Sequence, residues 1–97
     1  MILFLDDNKY RLAKTIDFSE MQNAIVFNDE NNSIELSDEK VVLKDFFDEE
    51  YKEDPINAML DCISDEVVLT GLSEDQQNVL PRGSALYELY DSIYYSL

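Results

Sequence analysis

Histidine and tryptophan are absent from this chain, cysteine occurs once, and glycine and proline occur twice each. Each shortage removes a class of chemistry. Without His there is neither the commonest general base nor the usual partner of a nucleophilic Ser or Cys. Without Trp there is no indole platform against which a sugar ring could stack. Cys62 has no second cysteine to pair with, and a neighbouring carboxylate, Asp61, makes a thiol harder to ionise. It therefore reads as a small apolar residue of a protein in a reducing, cytoplasmic compartment. No apolar run approaches the ~20 residues that cross a bilayer, and no basic segment followed by an apolar one opens the chain. Positive charge is far outnumbered by negative: seven Lys+Arg face 22 Asp+Glu, a formal net charge of −15 at pH 7. Affinity for phosphate requires Lys and Arg to displace counterions, so direct binding to nucleic acid or to an anionic membrane is not expected. No enzyme activity, cofactor or metal centre is predicted.

What is present is enough to fold. Hydrophobic residues make up 45% of the chain and aromatics 11%, which is too apolar for a disordered acidic tail. Ninety-seven residues fit one domain, 1–97, with no room for a second core. Residues 1–36 read mostly as strands. Met1–Leu5 is apolar and short, Asp6–Asn8 has turn chemistry, and an alternating pattern continues through Thr15 and Ile16, which predicts a hairpin. Asp17 or Ser19 caps a short helical turn through Met21. Ala24–Phe27 and Ser33–Leu36 flank the Asn- and Asp-rich stretch 28–32, a second hairpin.

Residues 37–97 read mostly as helices. Ser37 is a plausible cap for a helix over Asp38–Tyr51 carrying Leu43, Phe46, Phe47 and Tyr51 on its apolar face, with an extension of the sheet over Lys40–Leu43 as the alternative. Asp54-Pro55 is the clearest helix start, with Ile56, Met59, Leu60 and Ile63 on one face. Val67–Leu69 reads as a short strand or connector ending at Gly71. Ser73–Gln76 matches a capping box for a brief helix that Pro81 stops, and Ser84 caps a last helix with Leu86, Leu89, Tyr90, Ile93 and Leu97 in one stripe. Strands first and helices after predict an α+β fold, a small antiparallel sheet with the C-terminal helices on one face.

Two metal-site readings fail on spacing. Asp6-Asp7 after a strand resembles the acidic Mg²⁺ pair of response-regulator receiver domains, but no Lys follows Lys52 and the chain is short for that fold. The oxygen-rich segment Asn28–Glu39 places Ser33 where a calcium-binding EF-hand loop needs Gly.

The charge itself is unevenly distributed. Residues 1–16 hold two acids and three bases, whereas residues 29–75 hold sixteen acids and three bases. A solubilising surface needs only a few units of net charge, so the excess points to a basic partner. The candidate partner-binding residues are Asp45, Asp48, Glu49, Glu50, Tyr51, Glu53, Asp54 and Asp61, with Tyr87 and Tyr94 as a second surface. Carboxylates interleaved with an aromatic suit a protein that occupies a nucleic-acid enzyme, the acids standing in for phosphates and the ring acting as a rigid anchor.

Within this region Tyr51, Asp54, Ala58, Asp61, Cys62 and Ile63 lie at the spacing of a known inhibitor segment: residues 51–64 resemble the inhibitory loop and helix of barstar-type intracellular ribonuclease inhibitors. The resemblance assigns the family's binding Tyr and helix Asp to Tyr51 and Asp61. Asn57, Pro55 and Glu53 stand where the family has Asp, Asn and Gly. Three functional expectations follow: an acidic inhibitor or immunity protein that neutralises a basic nuclease toxin or similar enzyme; a phage-type DNA mimic blocking a restriction, CRISPR or repair enzyme; or a small acidic adaptor or regulatory subunit.

Overall fold

The computed structural model describes residues 1–97. Its elements are β1 (Ile2–Phe4), α1 (Asp7–Ala13), a 3-10 turn (Ser19–Met21), β2 (Ile25–Asn28), β3 (Ser33–Leu36), β4 (Val41–Lys44), β5 (Glu50–Glu53), α2 (Pro55–Thr70) and α3 (Pro81–Tyr94). The fold is α+β, with antiparallel strands in the N-terminal half and two long helices after them. The strands form two sheets, one ordered β1-β3-β2 and one the β4–β5 hairpin.

The first sheet brings together segments far apart in sequence. In its register Leu3 and Phe27 both lie opposite Ile34, and Ile2 and Val26 both lie opposite Glu35. Side chains opposite one another share a face. The Leu3–Ile34–Phe27 row thus faces the core, while Ile2 and Val26 face solvent. The first hairpin expected from the sequence does not form: β1 pairs with β3, and residues 7–13 are helix. Asp6, expected in a turn, is the helix N-cap, its carboxylate accepting from the Lys9 N–H at 2.8 Å. Asp7 pairs with Arg11 one turn on, at 3.0 Å, an arrangement only a helix offers. The buried face is Tyr10 and Ala13. The Tyr10 hydroxyl donates to Asp29 at 2.6 Å and Lys14 Nζ to the same carboxylate at 2.7 Å, so α1 is latched to the β2–β3 turn. The short helical turn through Met21 is present, with Asp17 accepting from the Ser19 N–H at 2.9 Å.

Residues 38–51 are not a helix. They contain β4, a tight turn and the start of β5, so strand structure extends to Glu53 rather than stopping near Leu36. Val41 and Leu43 alternate inward with a period of two, and that signal prevails over the helical spacing of Phe46 and Phe47.

α2 starts where Asp54-Pro55 indicates and buries Ala58, Met59, Leu60, Ile63 and Val67. It continues to Thr70 through the segment expected as a strand, because Val67, four residues beyond Ile63, prolongs the buried face. Residues 72–80 form a loop instead of the expected capped helix: Leu72 bridges to Val79, and the Ser73 hydroxyl donates to Asp75 at 2.5 Å rather than capping an onward helix. Pro81 begins α3 instead of stopping a helix, so Ser84 lies inside its first turn. Leu86, Leu89 and Ile93 form the buried stripe of α3, Tyr90 packs against it, and Leu97 is exposed.

The two glycines of the chain meet where α2 ends and α3 begins. A Cβ on Gly71 would lie 2.7 Å from Gly83 Cα, and one on Gly83 would collide with the Gly71 carbonyl. The helices close at this point by backbone-to-backbone approach. Arg82, beside it, donates to Glu66 at 3.1 Å, Thr70 at 2.9 Å and Thr15 at 3.1 Å, joining α3 to α2 and to the end of α1.

Candidate interaction surface

The β4–β5 hairpin sorts its acidic residues onto two sides. Tyr51 lies opposite Leu43 and Glu53 opposite Val41, so both stand on the side that Val41 and Leu43 turn towards the core. Glu50, opposite Lys44, stands on the other side with Val42 and Lys52. Tyr51 is 41% exposed, covered partly from below and open above. A cavity of about 260 Å³ runs beside it, lined among others by Glu20, Tyr51, Asp61, Cys62 and Asp65.

Electrostatically this cavity is unbalanced. Partial burial, then the charges of Glu53 and Asp65, push the Asp61 carboxyl above its ordinary range. Tyr51 is raised by partial burial and then by Glu53, Asp61, Glu20 and Asp45. Cys62 is pushed up to about 11, first by burial and then by Glu20, Asp65, Asp61 and Asp17. Its thiol is a poor nucleophile at neutral pH. The ion pairs of the chain engage Asp6, Asp7, Asp29, Asp38, Asp48 and Glu66. Neither Glu53 nor Asp61 has a cationic partner, and like charges left this close repel one another in the free protein.

The turn of the hairpin is a built structure. One Asp45 oxygen accepts from the N–H groups of Phe47 and Glu49, each at 2.9 Å, and the Asp45 N–H donates to the Glu49 carbonyl at 2.9 Å. Asp48 takes a left-handed backbone conformation, φ 62°, and pairs with Lys44 at 3.4 Å. This frame holds Phe46 and Phe47 at 97% and 81% exposure, their rings edge to face at 5.8 Å. Two phenyl rings displayed among acids at a hairpin tip are an apolar feature that folding alone does not require.

Of the candidate residues, the structure brings Tyr51 and Asp61 to the lining of one cavity, with Glu53 and Asp45 within electrostatic reach. Asp48 and Glu49 belong to the tip, and Glu50 faces the opposite side of the hairpin. Asp54 occupies the N-cap position of α2 without making a side-chain cap bond, and its side chain is exposed. Tyr87 and Tyr94 are exposed on α3 and lie apart from this group in bonding: Tyr94 stacks on Tyr90 at 6.2 Å and meets Tyr95 edge-on at 5.2 Å.

Four contributors were not among the candidates. Asp65, one helical turn beyond Asp61, was legible from the spacing of α2. The sequence pattern places Phe46 and Phe47 on a helix face; Asp45, able to bond the backbone two residues on, is the available sign of a turn. Glu20 arrives by tertiary packing alone and left no local signal. No three Cys, Asp or Glu side chains are arranged to hold a metal ion. No family model matches the chain, and neither a curated protein nor a solved structure matches it.

Proposed function

We propose that this is an acidic inhibitor or immunity protein that binds a basic nucleic-acid-acting protein, such as a nuclease toxin, through the cavity lined by Tyr51 and Asp61, the neighbouring Glu53 and the β4–β5 tip. The observation that carries the reading is the crowding of unpaired carboxylates around a half-exposed tyrosine. Lys or Arg groups of a partner would relieve that repulsion on binding, so association gains from a strain already present in the free protein. The net charge of −15 would accelerate encounter with a basic surface, which matters when a toxin must be caught before it acts. Phe46 and Phe47 supply apolar anchors of the kind that dominate binding energy. They suit a partner with an apolar pocket, and so favour an inhibitor of this class over a pure DNA mimic or a small adaptor. The resemblance of residues 51–64 to barstar-type inhibitors agrees with the reading, since its two carried-over positions, Tyr51 and Asp61, line the same cavity. No helix is long and apolar enough to cross a membrane, and with its single thiol we place the protein in the cytoplasm as a binding protein without catalytic activity of its own.

The test begins with capture of partners from host lysate by the immobilised chain, followed by reconstitution with each purified basic protein recovered. Inhibition of a nuclease or other nucleic-acid-acting enzyme is expected. Charge reversal at Glu49 and Asp61 should lower the association rate by about tenfold or more at low salt. Phe46→Ser with Phe47→Ser should cost about 2 kcal/mol or more of affinity through faster dissociation. Recovery of no basic nucleic-acid-acting protein, or full inhibition by the charge-reversed chain, would overturn the reading.

A further inference from the structure

The Asp45 side chain is engaged by its own loop rather than left free for a partner. Phe46, Phe47 and Asp48 form the tip between β4 and β5. The Asp45 N–H donates to the Glu49 carbonyl at 2.9 Å, and the Asp48 N–H donates to the Asp45 carbonyl at 3.0 Å. Three-residue hairpin loops of this kind end on a residue in the left-handed region, and Asp48, φ 62°, fills that place. One Asp45 carboxylate oxygen then accepts the Phe47 and Glu49 N–H groups, each at 2.9 Å. Every one of these bonds involves Asp45.

The loop needs no aromatic residue to form. Its two leading positions suit small polar residues or proline, yet they carry phenylalanines at 97% and 81% exposure. Neither ring joins the core cluster; they meet each other instead, edge to face with centroids 5.8 Å apart. A loose loop would lose backbone freedom on binding through these rings, whereas a loop already locked loses little. The lock does not require charge. Two amide hydrogens need an oxygen acceptor of the right reach, which the side chain of asparagine supplies as well as that of aspartate, and alanine supplies none.

We propose that Asp45 is a positioning residue: it acts through the loop backbone to hold Phe46 and Phe47 side by side as one preformed anchor for an apolar pocket of the partner protein. The proposal rests on the inhibitor reading, in which the β4–β5 tip enters the partner, and adds the residue that sets the geometry of the tip. It also sets the size of the pocket, which must admit a pair of rings rather than one. Asp45 contributes acceptor geometry, in contrast to Asp61 and Glu53, whose mutual repulsion a basic surface relieves.

The experiment uses γ-cyclodextrin, an uncharged sugar ring whose apolar cup admits two aromatic rings, in place of the pocket. An uncharged probe is not steered by the net charge of −15, so it reports on the anchor alone. The full chain, isotopically labelled, is titrated while the Phe46 and Phe47 ring signals are followed. Both should shift together, and Phe46→Ser should abolish the binding although Phe47 remains. Asp45→Ala should weaken binding by roughly fivefold or more and speed amide exchange at Phe47 and Glu49 by roughly tenfold or more. Asp45→Asn, which keeps the acceptor without the charge, should restore both. Asp45→Glu, which keeps the charge on a longer side chain, should restore neither, and this pair decides the matter even where Asp45→Ala unravels the hairpin. Absence of shifts at Phe46 and Phe47, equal binding by Asp45→Ala and the parent chain, or rescue by Asp45→Glu and not by Asp45→Asn would each overturn the proposal. The inhibitor reading fails on a different result, the recovery of no basic nucleic-acid-acting protein.

Discussion

Asp61 and Arg82 show how differently a charged side chain can be used in the same molecule. Arg82 spreads its donors over Glu66, Thr70 and Thr15, a fork that the point charge of lysine cannot reproduce. Glu66 is largely buried, its side chain 13% exposed, so removing the guanidinium would leave its carboxylate without a cationic partner, held by the Thr70 hydroxyl alone. Arg82→Ala should therefore destabilise the fold by about 1–3 kcal/mol, with Arg82→Lys recovering only part of the loss in chemical denaturation. Asp61 has the opposite sign. Its carboxyl is raised in the folded protein by partial burial and by Glu53 and Asp65, so folding disfavours its ionised form. That cost is absent below the unfolded carboxylate range near pH ~4 and develops as pH rises through the folded value. Asp61→Asn should thus raise the melting temperature at pH 7, and the advantage should vanish as the pH is lowered to the unfolded range. A melt that fell at pH 7 would mean Asp61 makes a favourable interaction where like charges are found.

At the level of elements, two of the segments whose type differs between sequence and structure, residues 7–13 and 38–51, do so for reasons of range. Residues 7–13 carry an alternating pattern compatible with a strand, yet the edge they would have paired with is taken by β3. Released from that pairing, the segment follows its local signals, the Asp6 cap and the Asp7–Arg11 pair. Residues 38–51 offered both helical and alternating periods. The alternating one prevailed because Val41 and Leu43 join the core, which left Phe46 and Phe47 stranded at the turn. The α2–α3 junction is the element-level contact with the least tolerance. Gly83 has no room for even a methyl group against the Gly71 carbonyl. Gly83→Ala should cost about 1–3 kcal/mol despite the higher helix propensity of alanine. An unchanged or raised denaturation midpoint would show that the helices can separate there freely.

Over the whole molecule, repulsion among the excess acids opposes compaction. Screening reaches a Debye length of about 8 Å near physiological salt. The melting temperature should accordingly rise between very low salt and roughly 0.15 M, where exposed carboxylates cease to sense one another over long distances. A falling melting temperature over that interval would indicate that the exposed ion pairs, such as Lys14–Asp29 and Arg11–Asp7, outweigh the net repulsion.

Composition and local pattern alone determined the acidity, the α+β class with its two C-terminal helices, the β2–β3 hairpin, and the start of α2 at Asp54-Pro55. These are short-range matters: caps, turns and charge counts are decided by residues within one turn of one another. Tertiary packing decided which strand lies beside β1, where the hairpin presents its phenylalanines, and how the two glycines allow α2 and α3 to meet. It also assembled the Tyr51 cavity, because Glu20 reaches Tyr51 and Asp61 from a distant turn. Such contacts depend on loop closures whose cost is offset only when the whole core forms, and no window of local sequence contains them.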